Sequence, residues 1–390
     1  MLLLACAGAL WLAACGEPMA PPRTFDGSAP ICQEGSDLPS GRIDPDFQTI
    51  GPTSNAVRRS DDALWIVESG SNTVSRFDLQ KQKLQRGFID VGEGRNPYDI
   101  AVDSSAHRAY ITNWLSSTVS VADTETGRVI DELSHETFDF PQGIEVTEDY
   151  LYVTNVHFRG GDDASAFEPG TVTIIDRADH TVLRTVETEF KNPQFVRAIE
   201  SPGGPRLAIV SSGVITGSAD LASDGGLELW KPYRSGEPVD RTTHPLPVKR
   251  DASGQPRIGA PGRPLPEPDG SHLYFTSATA PVVFKFDLQS DTWSRGTQDP
   301  IELYESRADT LHHGAFGPEG LLWVTAFNRD SLYVIDPACD GVLADSIPLG
   351  ATDALLEGPH GIQVARAGET RYAYYIMSRA NALGRLQLDP

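Results

Sequence analysis

The sequence predicts an all-β, seven-bladed β-propeller with four antiparallel strands per blade, its ring closed by an N-terminal strand that joins the last blade. Three observations predict it. Pairs of short alternating strands recur along the chain, a proline opens a further strand about a dozen residues before each pair, and the last such unit has room for three strands only.

The strand pairs come first. They are LWIVESGSNTVSRFDL from Leu64, AYITNWLSSTVSVADTETG from Ala109, LYVTN from Leu151 with GTVTIIDR from Gly170, LYFTSATAPVVFKFDL from Leu273 and LWVTAFNRDSLYVID from Leu322. Period-two alternation of β-branched and aromatic residues makes these strands, and the Gly, Asn, Ser and Asp between them make tight turns. Asp78, Asp123, Asp176, Asp287 and Asp336 close the second member of five pairs. A residue repeated in this way caps turns, whereas a catalytic group need occur only once.

The anchors come next. Pro52, Pro97, Pro141, Pro193, Pro261 and Pro359, with His312 in the matching place of one unit, are spaced by 45, 44, 52, 68, 51 and 47 residues. A proline suits the first position of a strand because its missing N–H costs the ladder nothing there. After Pro359 the strands fall near residues 361–365, 372–378 and 382–388, so a fourth must come from upstream, at about residues 46–50. Pairing the two chain ends removes the exposed edge that an open array would carry.

Bulk composition agrees. The chain has 390 residues, long for one compact core, but repeat folds escape that limit because each unit packs only on its neighbours. It holds 36 Gly and 29 Pro, which speaks against an all-helical protein. A formal charge of -22 repels phosphate backbones, so nucleic acid is excluded as a partner class; solubility accounts for the acidity, with divalent-cation capture as the alternative.

The first fifteen residues carry no charged side chain and give way to a polar, Pro-rich stretch. Leu12-Ala13-Ala14-Cys15 resembles the bacterial lipobox, which implies a signal peptide over 1–14, lipidation of Cys15, a tether over 15–45 and the propeller over 46–390. No Lys or Arg stands near Met1, so a start codon further upstream is expected. Fourteen apolar residues are fewer than the roughly twenty that span a bilayer, so the lipid is the expected membrane contact. Gly16 and Glu17 lack the Asp that holds lipoproteins at the inner membrane, which favours the outer membrane, on its periplasmic or surface face. Of four cysteines, Cys32 and Cys339 remain for the exported domain, as one disulfide or as two free thiols; a bridge would fasten the closing strand to the sixth blade.

YVTN at Tyr152 and YITN at Tyr110 resemble the YVTN family of propeller repeats, and more loosely the NHL, gluconolactonase (SMP-30-like) and streptogramin lyase propellers. In such a blade the connection into the first strand and the turn between the second and third open on one face around the central channel. Residues just after the anchors give a ligand-binding ring of Tyr98, Asp99, Gln142, Gln194 and Arg263 with His313 and His360, and the turns add Asn113, Asn155, Glu68 and His157. Three long segments, 156–170, 213–225 and 231–262, are either working-face insertions or tolerated padding. Gly161-Asp162-Asp163 is a solvated turn or a Ca2+ contact.

Two functions stand. The first is a monomeric cell-envelope lipoprotein whose channel mouth recognises a protein, peptide or glycan. The second follows from the resemblance of GPHGI from Gly358 and HHGAFGPEGLLWVTAF from His312 to streptogramin lyase repeats. It implies a lactonase or lyase dependent on Mg2+ or Ca2+, with His313 or His360 as general base, Glu68 or Asp99 near the ion, and Glu68, His157 and His312 as its candidate ligands. A hydrogen-bonded structural role for these histidines is the alternative. A quinone- or heme-linked dehydrogenase lacks its expected motifs.

Overall fold

The computed structural model describes residues 41–43, 48–52, 54–60, 62–161, 164–215, 224–252, 256–304, 310–343, 346–349 and 358–388. The proposed signal peptide, Cys15, Cys32 and the Asp162-Asp163 turn lie outside them.

Seven antiparallel blade sheets follow one another around a ring, with a small two-stranded sheet, Lys249–Arg250 with Pro256–Ile258, between blades 4 and 5 in the chain. Blade 1 runs Ser54–Ser60, Ala63–Glu68, Thr73–Asp78 and Lys83–Asp90. Blade 2 runs Pro97–Asp103, Arg108–Asn113, Thr118–Asp123 and Val129–Ser134, and blade 3 Pro141–Val146, Tyr150–Asn155, Thr171–Asp176 and Val182–Glu187. Blade 4 comprises Pro193–Ile199, Arg206–Ser211, Gly225–Trp230 and Arg241–Leu246. Blade 5 has Leu265–Pro266, His272–Thr276 and Val282–Asp287, and blade 6 Leu311–Phe316, Leu322–Ala326 and Ser331–Asp336. Their outer edges are interrupted, as Thr292–Arg295 with Ile301–Glu302 and as Gly341–Val342 with Ile347–Pro348.

Blade 7 contributes Pro359–Ala367, Thr370–Met377 and Ala382–Leu388. The N-terminal segment completes it, with Gly41↔Leu388, Ile43↔Leu386, Gln48↔Leu383 and Thr49↔Ala382 in antiparallel register. The ring therefore closes by the two chain ends, and the closing edge begins at Gly41, ahead of the expected residues 46–50.

Apolar faces of neighbouring blades form the core. Between blades 1 and 2 lie Trp65, Val67, Ile89, Ile100 and Ile111; across the closure lie Leu64, Ile66 and Phe77 against Tyr374, Ile376 and Leu383. Each such burial contributes roughly 1.5–3 kcal/mol, so the closing seam is held by the same force as the other seams.

The repeated aspartates cap turns. Asp78, Asp123, Asp176 and Asp287 each accept the backbone N–H groups two and three residues on, and Asp336 accepts that of Ala338. The first strand of every blade is bulged: its pairing with the second slips by one residue just after its first position. This register moves two anchors. Ser54, two residues after Pro52, pairs with Glu68 as Pro97 pairs with Asn113. Leu311 pairs with Ala326, so Leu311 takes the anchor place in blade 6 and His312 follows it.

Candidate functional site at the channel

The threonine of YITN and YVTN repairs the bulge. In blade 2 Thr112 Oγ1 accepts the Asp99 N–H (3.0 Å) and donates to the Gln142 carbonyl of blade 3 (2.6 Å). Thr325 sits in the same place in blade 6, accepting from His313 N–H (3.1 Å), with its own proton shared between His313 O (3.1 Å) and, at longer range, His360 O of blade 7 (3.5 Å). Thr154 accepts from Gly143 N–H (2.8 Å) in blade 3. The residue after each bulge is thus held at the rim of the channel, where its side chain is free to vary: Asp99, Gly143, Phe195, Arg263, His313 and Gly361. Glycine at 143 has a steric cause, since a Cβ there would sit 2.8 Å from Gln194 O and 3.0 Å from Phe195 Cα.

Asp99 is the hub of the channel. It is fully buried, and its carboxylate receives Arg58 Nε and Nη2 (3.2 and 2.9 Å) from blade 1 and Arg263 Nη1 (3.0 Å) from blade 5. Burial alone would raise the Asp99 pKa, but the two guanidiniums and their hydrogen bonds hold it well below the carboxylate range. Arg58 also reaches Ile144 O (3.3 Å) and lies 3.6 Å from Glu145, whose other neighbour is Arg197 at 3.9 Å. Arg263 stacks 4.9 Å over the Phe195 ring.

On the mouth side of this hub is a pocket of about 50 Å3 lined by Tyr98, Gln194, Phe195, Ser212, Arg263, Leu311, His312, His313 and His360, among others. His312 and His360 face each other with ring centroids 4.4 Å apart, and Phe327 packs 4.6 Å from His312. His312 Nε2 shares a hydrogen bond with Thr310 Oγ1 (3.2 Å). Among the described residues His313, 6% exposed, has no hydrogen-bond partner for either ring nitrogen, nor has His360 Nδ1. Burial, with nearby Arg263 adding to it, drives His313 well below the ordinary imidazole range and His360 to about 4, so both rings are neutral near pH 7. Burial pushes the Tyr98 phenol up to about 12.

The expected residues therefore divide. Tyr98, Gln194, Arg263, His312, His313 and His360 meet in one pocket, with Asp99 directly beneath. Gln142 is buried at the rim of blade 3, its Oε1 without a partner among the described residues, outside that pocket lining. Glu68, Asn113 and Asn155 turn into their own blades: Glu68 accepts from Thr73 and Ser75, Asn113 donates to Thr118 and Ser120, and Asn155 donates to Thr171 and Thr173. His157 stands apart too, its nitrogens engaged by Asp139 (3.1 Å) and Thr171 (3.0 Å). Glu68, His157 and His312 occupy three separate places, and among the described residues no three His, Cys, Asp or Glu side chains are grouped to hold a metal ion. Cys339 is disulfide-bonded; Cys32, the expected partner, lies outside the described residues.

Two features escaped the sequence. The first is the set of channel arginines, Arg58, Arg59 and Arg197, with Glu145, which stand in the middle of first strands, beyond the residues next to the anchors. The signal was available as charge following apolar residues in first strands, after Ala56-Val57, Ile144 and Phe195-Val196. The second is an aromatic lid in which Trp114, Phe140, Phe158 and Phe167 stack with centroids 4.8–5.9 Å apart over the enlarged turn of blade 3. The third long segment spans both ends: its Tyr233 packs on Tyr150 (5.2 Å) at the end of the blade opposite the mouth, and its Gly262 lines the mouth pocket.

No family model matches the chain, and no curated protein sequence matches it. Solved structures do. A streptogramin B lyase is 15% identical with a TM-score of 0.63, covering 90% of this chain and 98% of its own. Hydrazine synthase of Kuenenia stuttgartiensis is 17% identical with a TM-score of 0.64, covering 92% and 100%. A catalytically inactive histidine-to-alanine variant of virginiamycin B lyase from Staphylococcus aureus, with Quinupristin, is 16% identical with a TM-score of 0.61, covering 90% and 100%. At these identities the likeness carries the fold and nothing finer.

Proposed function

We propose that the chain is a recognition propeller of the bacterial cell envelope, lipid-anchored through Cys15, whose mouth pocket takes a polar end group of an envelope protein, peptide or glycan. The observation that carries this reading is His313: a buried, neutral imidazole with one N–H donor and one acceptor nitrogen, neither engaged among the described residues. A ligand group offering both a donor and an acceptor, an amide or a sugar hydroxyl, complements it. Chain direction supports the orientation. Gly41, the first described residue, pairs with Leu388 at the end of blade 7 away from the mouth, which is compatible with a pocket facing away from an N-terminal anchor.

The test is 15N NMR of the histidine rings during titration with short peptide amides and with N-acetylglucosamine oligomers. One of these should move the His313 resonances saturably and raise the thermal midpoint, and H313F should abolish both effects. If none binds, or if H313F binds as well as the parent, the reading fails.

A second reading, a lyase or lactonase, is favoured by the convergence of His312, His313 and His360. Mg2+ or Ca2+ would supply charge stabilisation for the departing oxygen, but the described side chains offer no common coordination point for it. In this reading a neutral His313 takes the proton. Linearisation of quinupristin by the purified protein, lost in H313F, would move the assignment to this class; complete inertness with and without added Mg2+ would remove it.

A further inference from the structure

The far end of the channel is chemically unlike the mouth. A cavity of about 390 Å3 opens there, lined by Arg58 and Arg59 of blade 1, Arg197 of blade 4 and Gln363 of blade 7. With Arg263 above, four guanidiniums face two carboxylates, Asp99 and Glu145, in a chain whose formal charge is -22. Asp99 is already saturated by Arg58 and Arg263. Arg197 makes no hydrogen bond among the described residues and approaches only Glu145, at 3.9 Å; Arg59 has one long bond, to Val364 O at 3.5 Å. Their remaining N–H groups border the cavity.

We infer that this end of the channel binds a small oxyanion, a phosphate or carboxylate, held in guanidinium forks by Arg197 and Arg59. Planar guanidiniums match the two oxygens of such groups. Arg58, fixed by Asp99, supplies a positioned charge behind them, and Gln363 adds an amide. The concentration of positive charge in one recess of an acidic chain favours anions there. The site is independent of the mouth reading: it lies on the far side of the Arg58–Asp99–Arg263 hub.

Inorganic phosphate is the probe, titrated at constant ionic strength against chloride into the full-length protein and followed by the Nε–Hε resonances of arginine. Saturable shifts of Arg197 and Arg59 are expected. R197Q should weaken binding about tenfold and R59Q about threefold, while K231Q, which removes an exposed cation elsewhere, should bind as the parent does. Because R58Q would strip Asp99 of a partner, it is replaced by these peripheral variants. Absence of a saturable response, or equal weakening by R197Q and K231Q, would overturn the assignment.

Discussion

Blades 2 and 6 use one backbone device to opposite ends. In both, a threonine of the second strand receives the bulge N–H and bonds the next blade, at Thr112 and Thr325. Yet Asp99 in blade 2 is saturated, by Arg58, Arg263 and the Ile100 N–H, whereas His313 in blade 6 has no partner for either nitrogen among the described residues. A buried polar group fully engaged inside the protein serves the fold, whereas the open nitrogens of His313 are what the proposed recognition role would use. The difference is measurable as stability.

The largest effect is expected at Asp99. D99N keeps the shape but removes the charge that two buried guanidiniums share, and uncompensated buried charge costs about 3–5 kcal/mol. The urea midpoint of D99N should fall accordingly. A loss below about 1 kcal/mol would mean that the hub is wet and that blade 2 is no more structural than blade 6.

T325V comes next. It leaves the His313 N–H and the His360 carbonyl without their bridge, at about 1–3 kcal/mol for the orphaned groups. T112V should lose a similar amount, because the device is the same. Unequal losses would break the equivalence of the two blades at the backbone and leave the side chains as a poor basis for comparing them.

That equivalence explains what could be read in advance. The blade count followed from alternation and the anchor spacing, because both are local. The mouth residues followed because each anchor marks a bulge, and a bulge aims its residue at the rim. The inward turn of Glu68, Asn113 and Asn155 was also legible in principle: a hydroxyl pair, Thr73 and Ser75, Thr118 and Ser120, or Thr171 and Thr173, opens the following strand each time. The hub was not legible. Asp99 and Arg263 are 164 residues apart, and only the closed ring brings blade 5 across the channel to blade 2.

Acid sharpens the comparison from the other side. His360 titrates at about 4 in the folded chain and near 6.5 when unfolded, so between those values the unfolded state binds the extra proton. Stability present above pH 6.5 is therefore lost as pH falls toward 4; His312 and His313, also lowered by burial, act in the same direction. Asp99, lowered instead, adds its own loss only below the ordinary carboxylate pKa. Between pH 7 and pH 5 H360Q should lose roughly 1–2 kcal/mol less than the parent, read as the shift in urea midpoint. Parallel curves for the two proteins would show that the pocket hydrates His360 in the native state.

The smallest effect on stability belongs to H313F. Replacing a ring whose two nitrogens have no partner among the described residues by a larger apolar ring removes no hydrogen bond that those residues make, and the pocket beside it can take the added volume, so the change should lie within about 1 kcal/mol of zero or stabilise the fold. Binding of the mouth ligand should nevertheless vanish. Such a split, stability kept and binding lost, would separate blade 6 from blade 2, where D99N is expected to cost stability first. If H313F instead costs as much as T325V, the imidazole is engaged within the native protein, and the open valences at the mouth have already been filled by water or by the chain itself.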